Sequence, residues 1–571
     1  MNEVLTRVAR RSASLACLYI LMLGVSSVGP SLHADAGTST DSSMPARSSM
    51  LDDPTVPEEW TALQGFRQIE HGPFRFIYEP RDRAAVVELM EFALEVYRDL
   101  GPYLDHSDRE SIPVLVLGRT DFSNGYFSPL PGQHMAVFVA PPVAPELGLG
   151  ESWLRLVFTH ELVHYLQLTS RTGLFAWVPR VFGRELAALP GLLLGISHIE
   201  GLAVALETEL TGGGRGRNPF FASRYRAPIA AGRELDAGRA NYDSYRPPSG
   251  RPYVYGYLFY DYLLSEFGAE AFQRIFRDFQ RFPFFGIGPA IHRHTDMTIN
   301  DVYGEINARL AAELSLSVSA DNAQDETLPV GEPPYSSYGI PVRLGDRVLV
   351  YRRSPFARGA IVDVQTSEEL SRIPAPTDVG ALAPGSSTEE LLVSLYRTDG
   401  MHPVTSIASM RTVSGLYTID TRSGDVTLLP GSDHLLSPAG YISAGSYAGW
   451  IAALERVSAR VRLVAFDPVS GRRVQLYPAD GAAVGGTRSA ASWPTAPALS
   501  PDGRLLAWVE SGAAVPSLYV MNLEDGTVSN LHSGSGRVPE SIFYPAFDDE
   551  HNLLFVAEHE NRLAGFRWNR S

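Results

Sequence analysis

The sequence predicts a multidomain protein in which an α+β domain is followed by an all-β propeller of five to six blades. Three observations predict it. Strand-like alternation comes first and helical periodicity follows, up to about Leu314, which is the α+β order. From about Gly339 the texture changes to short β runs divided by turn residues. Within that region "LYTIDTRSGDVTLL", "RLVAFDPVSGRRVQL" and "LYVMNLEDGTVSNL" repeat one unit: strand, Ser-Gly or Asp-Gly turn, strand. Their spacing of about 45–55 residues is that of propeller blades and too regular for a sandwich.

The chain of 571 residues opens on Arg7, Arg10 and Arg11, an apolar run over 15–28 and a small-residue site at 34–36. That is the layout of a secretory leader, residues 1–36. The run is too short for a membrane span, which needs about 20 apolar residues. Export is therefore expected, to a bacterial periplasm or the medium, with no membrane span left after leader removal. The sole cysteine, Cys17, leaves with the leader, so His and carboxylate would have to hold any metal in the mature chain. Residues 37–57 are rich in Ser, Thr, Pro and Asp and read as a flexible lead-in. The α+β domain is expected at 58–318. Its strands are "FRFIYEP", "IPVLVLG" and "HMAVFVAPP", with a helix from Ala84 and further helices later. Polar residues 319–337 read as a linker, and 338–571 as the propeller.

"FTHELVHYLQL" at 158–168 holds His160, Glu161 and His164 in the order H-E-x-x-H. On an α-helix, residues four apart share a face, so both imidazoles can reach one metal. Glu161 lies about 100° further round, facing water rather than the metal. Leu162, Val163 and Tyr165 are uncharged, which suits a buried helix. A two-histidine site needs a third donor. "HIEGLAVALETEL" at 198–210 reads as a second helix carrying Glu200, and Gly201 beside it permits close helix approach. Glu207 shares the face of Glu200 and either orients a ligand histidine or is a solvated, helix-pairing carboxylate. His198 is two residues from Glu200 and points elsewhere. "HRH" at 292–294 reads as surface on a strand or loop. "TGGGRGRNP" at 211–219 reads as a flexible, solvated loop; the alternative is that Arg215 and Arg217 meet a carboxylate or phosphate.

H-E-x-x-H followed by E-G-x-A resembles the gluzincin metallopeptidases. The resemblance implies an α+β zincin-like domain with one Zn²⁺ per chain, held by His160, His164 and Glu200, and Glu161 as general base. "RPYVYGYLFYDYL" at 251–263 is similar to the P-Y-x-x-G stretch of gluzincin aminopeptidases, whose tyrosine stabilises the tetrahedral intermediate. The correspondence falls on Tyr253 and Gly256. The usual lysine of that stretch is Tyr255 here, so Tyr255 and Tyr257 stay open as alternatives, as does a purely structural aromatic run. The G-A-M-E-N type stretch that captures a free amine has no counterpart before His160, so aminopeptidase activity is not implied. "LSPDGRLLAWVE" at 499–510 resembles the blade motif of TolB-like propellers. Together these stretches resemble bacterial secreted peptidase-MA-like proteins over roughly residues 70–571.

The charge balance narrows the partners. A formal net charge of −16 argues against nucleic acid or an anionic membrane as the main partner. The expected function is zinc-dependent hydrolysis of a peptide or protein substrate, with the propeller binding a protein partner or restricting access to the cleft. The alternative is a non-enzymatic envelope scaffold with a vestigial zinc site. The intact Glu161 weighs against it, because a structural zinc does not need that carboxylate.

Overall fold

The computed structural model describes residues 58–60, 65–105, 111–129, 132–144, 150–170, 191, 193–317, 336–377, 382–401, 410–478, 492–512, 517–531, 541–559 and 562–568. The expected leader, the lead-in and all but the end of the expected linker lie outside these residues.

Six strands form one mixed sheet: β1 (Glu58–Trp60), β2 (Arg67–His71), β3 (Phe74–Tyr78), β4 (Ile112–Leu117), β5 (Gly125–Ser128) and β6 (His134–Phe138). Their order is β1-β2-β3-β4-β6-β5. β3, β4 and β6 are parallel, and β5 runs antiparallel to β6 at the edge. Along β3 the side chains alternate, with Phe74, Phe76 and Tyr78 buried. They face two helices, α1 (Arg83–Asp99) and α2 (Trp153–Thr169). Phe158 of α2 stands edge-on to Phe74 at 5.3 Å and to Phe92 of α1 at 5.9 Å, centre to centre. These contacts give edge-to-face geometry on top of area burial.

α2 has almost no solvent side. Every residue from Leu156 to Thr169 is buried. Such a helix lacks the polar stripe of a surface helix because other elements cover it all round. The helical half that covers it comprises α3 (Ile196–Leu210), α4 (Pro219–Ala230), α5 (Arg251–Arg281), α6 (Gly288–Thr295) and α7 (Ile299–Ser317). The expected surface histidines at 292–294 lie on α6, a helix rather than a strand or loop, and His294 pairs with Asp278 of α5 at 2.8 Å.

α3 and α5 cross backbone to backbone. A Cβ placed on Gly201 of α3 would lie 2.2 Å from the carbonyl carbon of Gly256 on α5. A Cβ on Gly256 would lie 2.2 Å from the carbonyl oxygen of Ser197. Only glycine fits at either position.

Five antiparallel sheets follow, over 337–372, 382–428, 435–477, 493–530 and 542–568. The middle three are four-stranded meanders in sequence order; the first gains a strand and the last has three. This is a five-bladed propeller, and the described residues hold no sixth blade. Arg343 in the first blade meets Asp549 in the last at 2.6 Å.

The repeated turn has one structure. Asp420, Asp467 and Asn522 each accept a backbone N–H two residues on through the side chain. Each also accepts, through its carbonyl, the N–H of a glycine four residues on. Those glycines, Gly424, Gly471 and Gly526, have φ of 77°, 73° and 73°. The first blade makes the same turn at Asp363, with Ser367 (φ 60°) in the glycine's place. That substitution hides the fourth copy from a search for Gly-containing turns.

Replacing Gly201 by Ala is expected to cost about 2–3 kcal/mol, as overpacking of a filled contact does. The readout is a lowered thermal midpoint, matched by Gly256→Ala. A Gly201→Ala protein as stable as the parent would mean that the helices do not approach this closely.

Candidate metal centre

The centre is built by helix geometry. Phe158 and His160 are about 200° apart round α2, so anchoring Phe158 in the sheet core turns His160 towards α3. His164, one turn on, follows it. On α3, Glu200 and Glu207 are two turns apart on one face. One ligand atom each from His160, His164 and Glu200 lies within 4.8 Å of the others, and all three residues are buried.

The separations fit a metal. Nε2 of His160 is 3.0 Å from Nε2 of His164. Oε2 of Glu200 is 3.5 Å from the first and 3.4 Å from the second. Donors about 2.0–2.1 Å from a tetrahedral zinc stand about 3.3 Å from one another. Two nitrogens and a carboxylate oxygen at these spacings match zinc's usual ligands. Burial opposes ionisation of Glu200, but the imidazoles of His164 and His160 outweigh it and hold the carboxyl well below its usual range.

Glu207 orients His160. Its Oε2 is 2.8 Å from Nδ1, and Arg215 Nη2 stands 2.6 Å from the same nitrogen, on the ring side away from the ligand group. A carboxylate on the far nitrogen fixes the tautomer and ring direction of a ligand histidine. Glu207 is in turn held by Arg215, whose Nε donates to Oε1 (2.8 Å) and Nη2 to Oε2 (2.9 Å). The Arg215 backbone N–H also donates to Oε1, at 3.0 Å. Burial resists the Glu207 charge, but Arg215 overcomes it and keeps the group ionised.

The loop around Arg215 is therefore not the solvated segment that its glycines suggest. Arg217 donates to the carbonyl of Thr208 on α3 (3.0 Å), and the Gly216 N–H donates to Thr208 Oγ1 (3.0 Å). Gly214, at φ 89°, presses so closely that a Cβ would lie 2.6 Å from Thr208 Cα.

Glu161 stands beside the ligand group without joining it. Its carboxyl is buried, and Oε2 has no hydrogen-bond partner among the described residues. Burial pushes it up to about 7, with the neighbouring Glu200 and Glu207 adding to the rise against His164 and Arg215. Edge strand β5 passes directly over it: a Cβ on Gly125 would be 2.8 Å from Glu161 Oε1. Phe127 of β5 packs edge-on against Tyr165 of α2 at 5.4 Å.

Of the three candidate tyrosines, Tyr253 faces the centre. The Arg215 guanidinium lies 5.3 Å from its ring centre, and burial and then the charge of Glu200 raise its hydroxyl above the usual phenol range. Tyr255 is buried with no partner for its hydroxyl among the described residues, and Tyr257 reaches Asp261 instead. His198 points away, as its spacing implies: its Nδ1 meets the Tyr260 hydroxyl at 3.2 Å, and burial pushes it down to about 4.

No family model matches the chain, and no curated protein matches it. Solved structures share parts of its fold. TolB from Acinetobacter baumannii is 15% identical, over 41% of this chain and 52% of that one, with a TM-score of 0.30. A putative TolB from Agrobacterium tumefaciens is 15% identical, over 40% and 73%, with a TM-score of 0.29. Pyrococcus horikoshii acylaminoacyl peptidase is 11% identical, over 41% and 37%, with a TM-score of 0.26. The chain thus spans about half the length of the first TolB. At this level of similarity the side chains, not the neighbours, carry the functional reading.

Glu207→Gln keeps the ligand set but weakens the grip on His160. Zinc affinity is expected to fall by about 10–100-fold, measured by competition with a chromophoric chelator. His160→Ala is expected to abolish stoichiometric binding. Equal affinity in Glu207→Gln and parent would remove Glu207 from the centre.

Proposed function

We propose that the chain is an exported zinc-dependent peptidase, with a zincin-like catalytic domain at 58–318 and the propeller at 338–571. One observation carries this reading. His160, His164 and Glu200 converge at metal-ligand spacing while a fourth buried side chain, Glu161, stands beside them with an unengaged oxygen. A purely structural zinc site closes on its ligands and has no use for such a group.

Zinc, when bound, supplies Lewis acidity towards water and towards the scissile carbonyl. The protein's own groups do the rest. Glu161 takes the proton of the attacking water and returns it to the leaving amine. A carboxyl raised towards neutral pH suits both transfers. The Tyr253 hydroxyl stays protonated, since burial and then Glu200 push it well above the usual phenol range. It can therefore donate to the oxygen on which negative charge develops. Arg215 holds the Tyr253 ring from one side and Glu207 from the other.

The surroundings favour a peptide as substrate. β5 is an edge strand whose outer side pairs with no strand among the described residues. An extended chain can add to such an edge as a further strand, lying next to Glu161.

In the purified mature protein, Glu161→Gln is expected to keep zinc near one per chain while kcat falls by about 10²–10⁴-fold. Tyr253→Phe is expected to lower kcat by about 10²–10³-fold with little change in KM. Elemental analysis and hydrolysis of a broad peptide library check both. Wild-type protein without stoichiometric zinc would end the peptidase reading. Zinc without any cleavage would favour the envelope scaffold.

A further inference from the structure

The chain on both sides of β5 and β6 is anchored in the propeller. Ahead of β5, the Asp121 N–H donates to the carbonyl of Thr412 at 2.8 Å. Its carboxylate, 4% exposed, accepts from the Ser414 N–H (2.8 Å) and hydroxyl (2.9 Å). The same oxygen lies 3.0 Å from His434 Nδ1. Arg456 donates to Ser123 Oγ (3.1 Å) and to the carbonyl of Pro141 beyond β6 (2.7 Å). Trp493 Nε1 donates to the next carbonyl, that of Pro142, at 2.7 Å. These partners belong to the second, third and fourth blades.

A four-residue strand that pairs with one strand among the described residues is weakly held by its own ladder. A buried carboxylate gripped by several donors is a strong tether, because charge-assisted hydrogen bonds are about twice as strong as neutral ones. Asp121 stands four residues before Gly125, the residue pressed against Glu161. We infer that the propeller is a working part of the active site: by holding Asp121 and the 141–142 segment it fixes β5 over Glu161. Asp121 is thus a positioning residue for the strand along which substrate lies. The catalytic consequence rests on the peptidase reading; the placement of β5 does not.

The test uses the full mature chain. Asp121→Ala removes the carboxylate from the tether, and Ser414→Ala with His434→Ala removes its side-chain partners on the propeller side. Hydrogen exchange read by mass spectrometry is expected to accelerate at least about tenfold across 125–128 in both proteins. Exchange in α2 and α3, and zinc near one per chain, should stay unchanged. For peptide hydrolysis KM is expected to rise about tenfold while kcat changes far less. Asp121→Asn, which keeps an acceptor for Ser414, should fall between. Should Asp121→Ala not fold, Ser414→Ala alone is the milder variant, with the same direction expected. Unchanged exchange across 125–128 would overturn the inference. So would activity that falls only in step with the folded fraction. If the wild type hydrolyses nothing, the exchange measurement still decides the role of the propeller, and the peptidase reading fails by itself.

Discussion

The contact between Gly201 and Gly256 is the constraint on which the rest of the centre depends. It lets two helices cross with their backbones touching. Glu200 is the residue before one of these glycines, and Tyr253 lies three residues before the other. The crossing therefore puts a carboxylate and a phenol side by side, although they are far apart in sequence. Arg215 can fork onto Glu207 and stack over Tyr253 at once only because α3 and α5 are this close. A methyl group at the crossing would separate the pieces that meet there.

The electrostatics of the centre follow from burial. Glu161, Glu200 and Glu207 bring three buried carboxylates together, against one guanidinium. Fully ionised, the set is two positive charges short, and buried charge without compensation is expensive. A divalent cation bound where the donors converge would restore the balance. Glu161, which neither Arg215 nor an imidazole grips by a hydrogen bond among the described residues, is the one of the three that ends raised, chiefly by burial. The other two are held ionised by the groups that grip them.

Much of this was legible in the sequence wherever the signal was local and periodic. H-E-x-x-H and the face shared by Glu200 and Glu207 follow from helical spacing alone, and Gly201 announced a close approach. What lay across from each face was not legible. Glu207 had two readings until Arg215 and His160 stood opposite it. Arg215 looked solvated because three glycines precede it and no repeat marks its partner. β5 is too short to show alternation, and the tie from Asp121 to Ser414 spans a separation that no local pattern encodes. The propeller was legible through its turn glycines. The first blade's copy was not, because Ser367 accepts a backbone angle that sequence rules assign to glycine.

The propeller also touches the helical half. Phe220 on α4 meets Phe543 of the last blade at 4.7 Å, and Arg226 meets Glu558 at 3.4 Å. α4 follows directly on the Arg215 loop. The middle blades thus hold the segments beside β5, and the last blade touches α4. The ring between them is joined at its seam by Arg343 and Asp549. The distance between these two attachments is then a dimension of the ring, set as on a caliper. A change in the shape of the ring, far from the histidines, would be carried to β5 and α4 together.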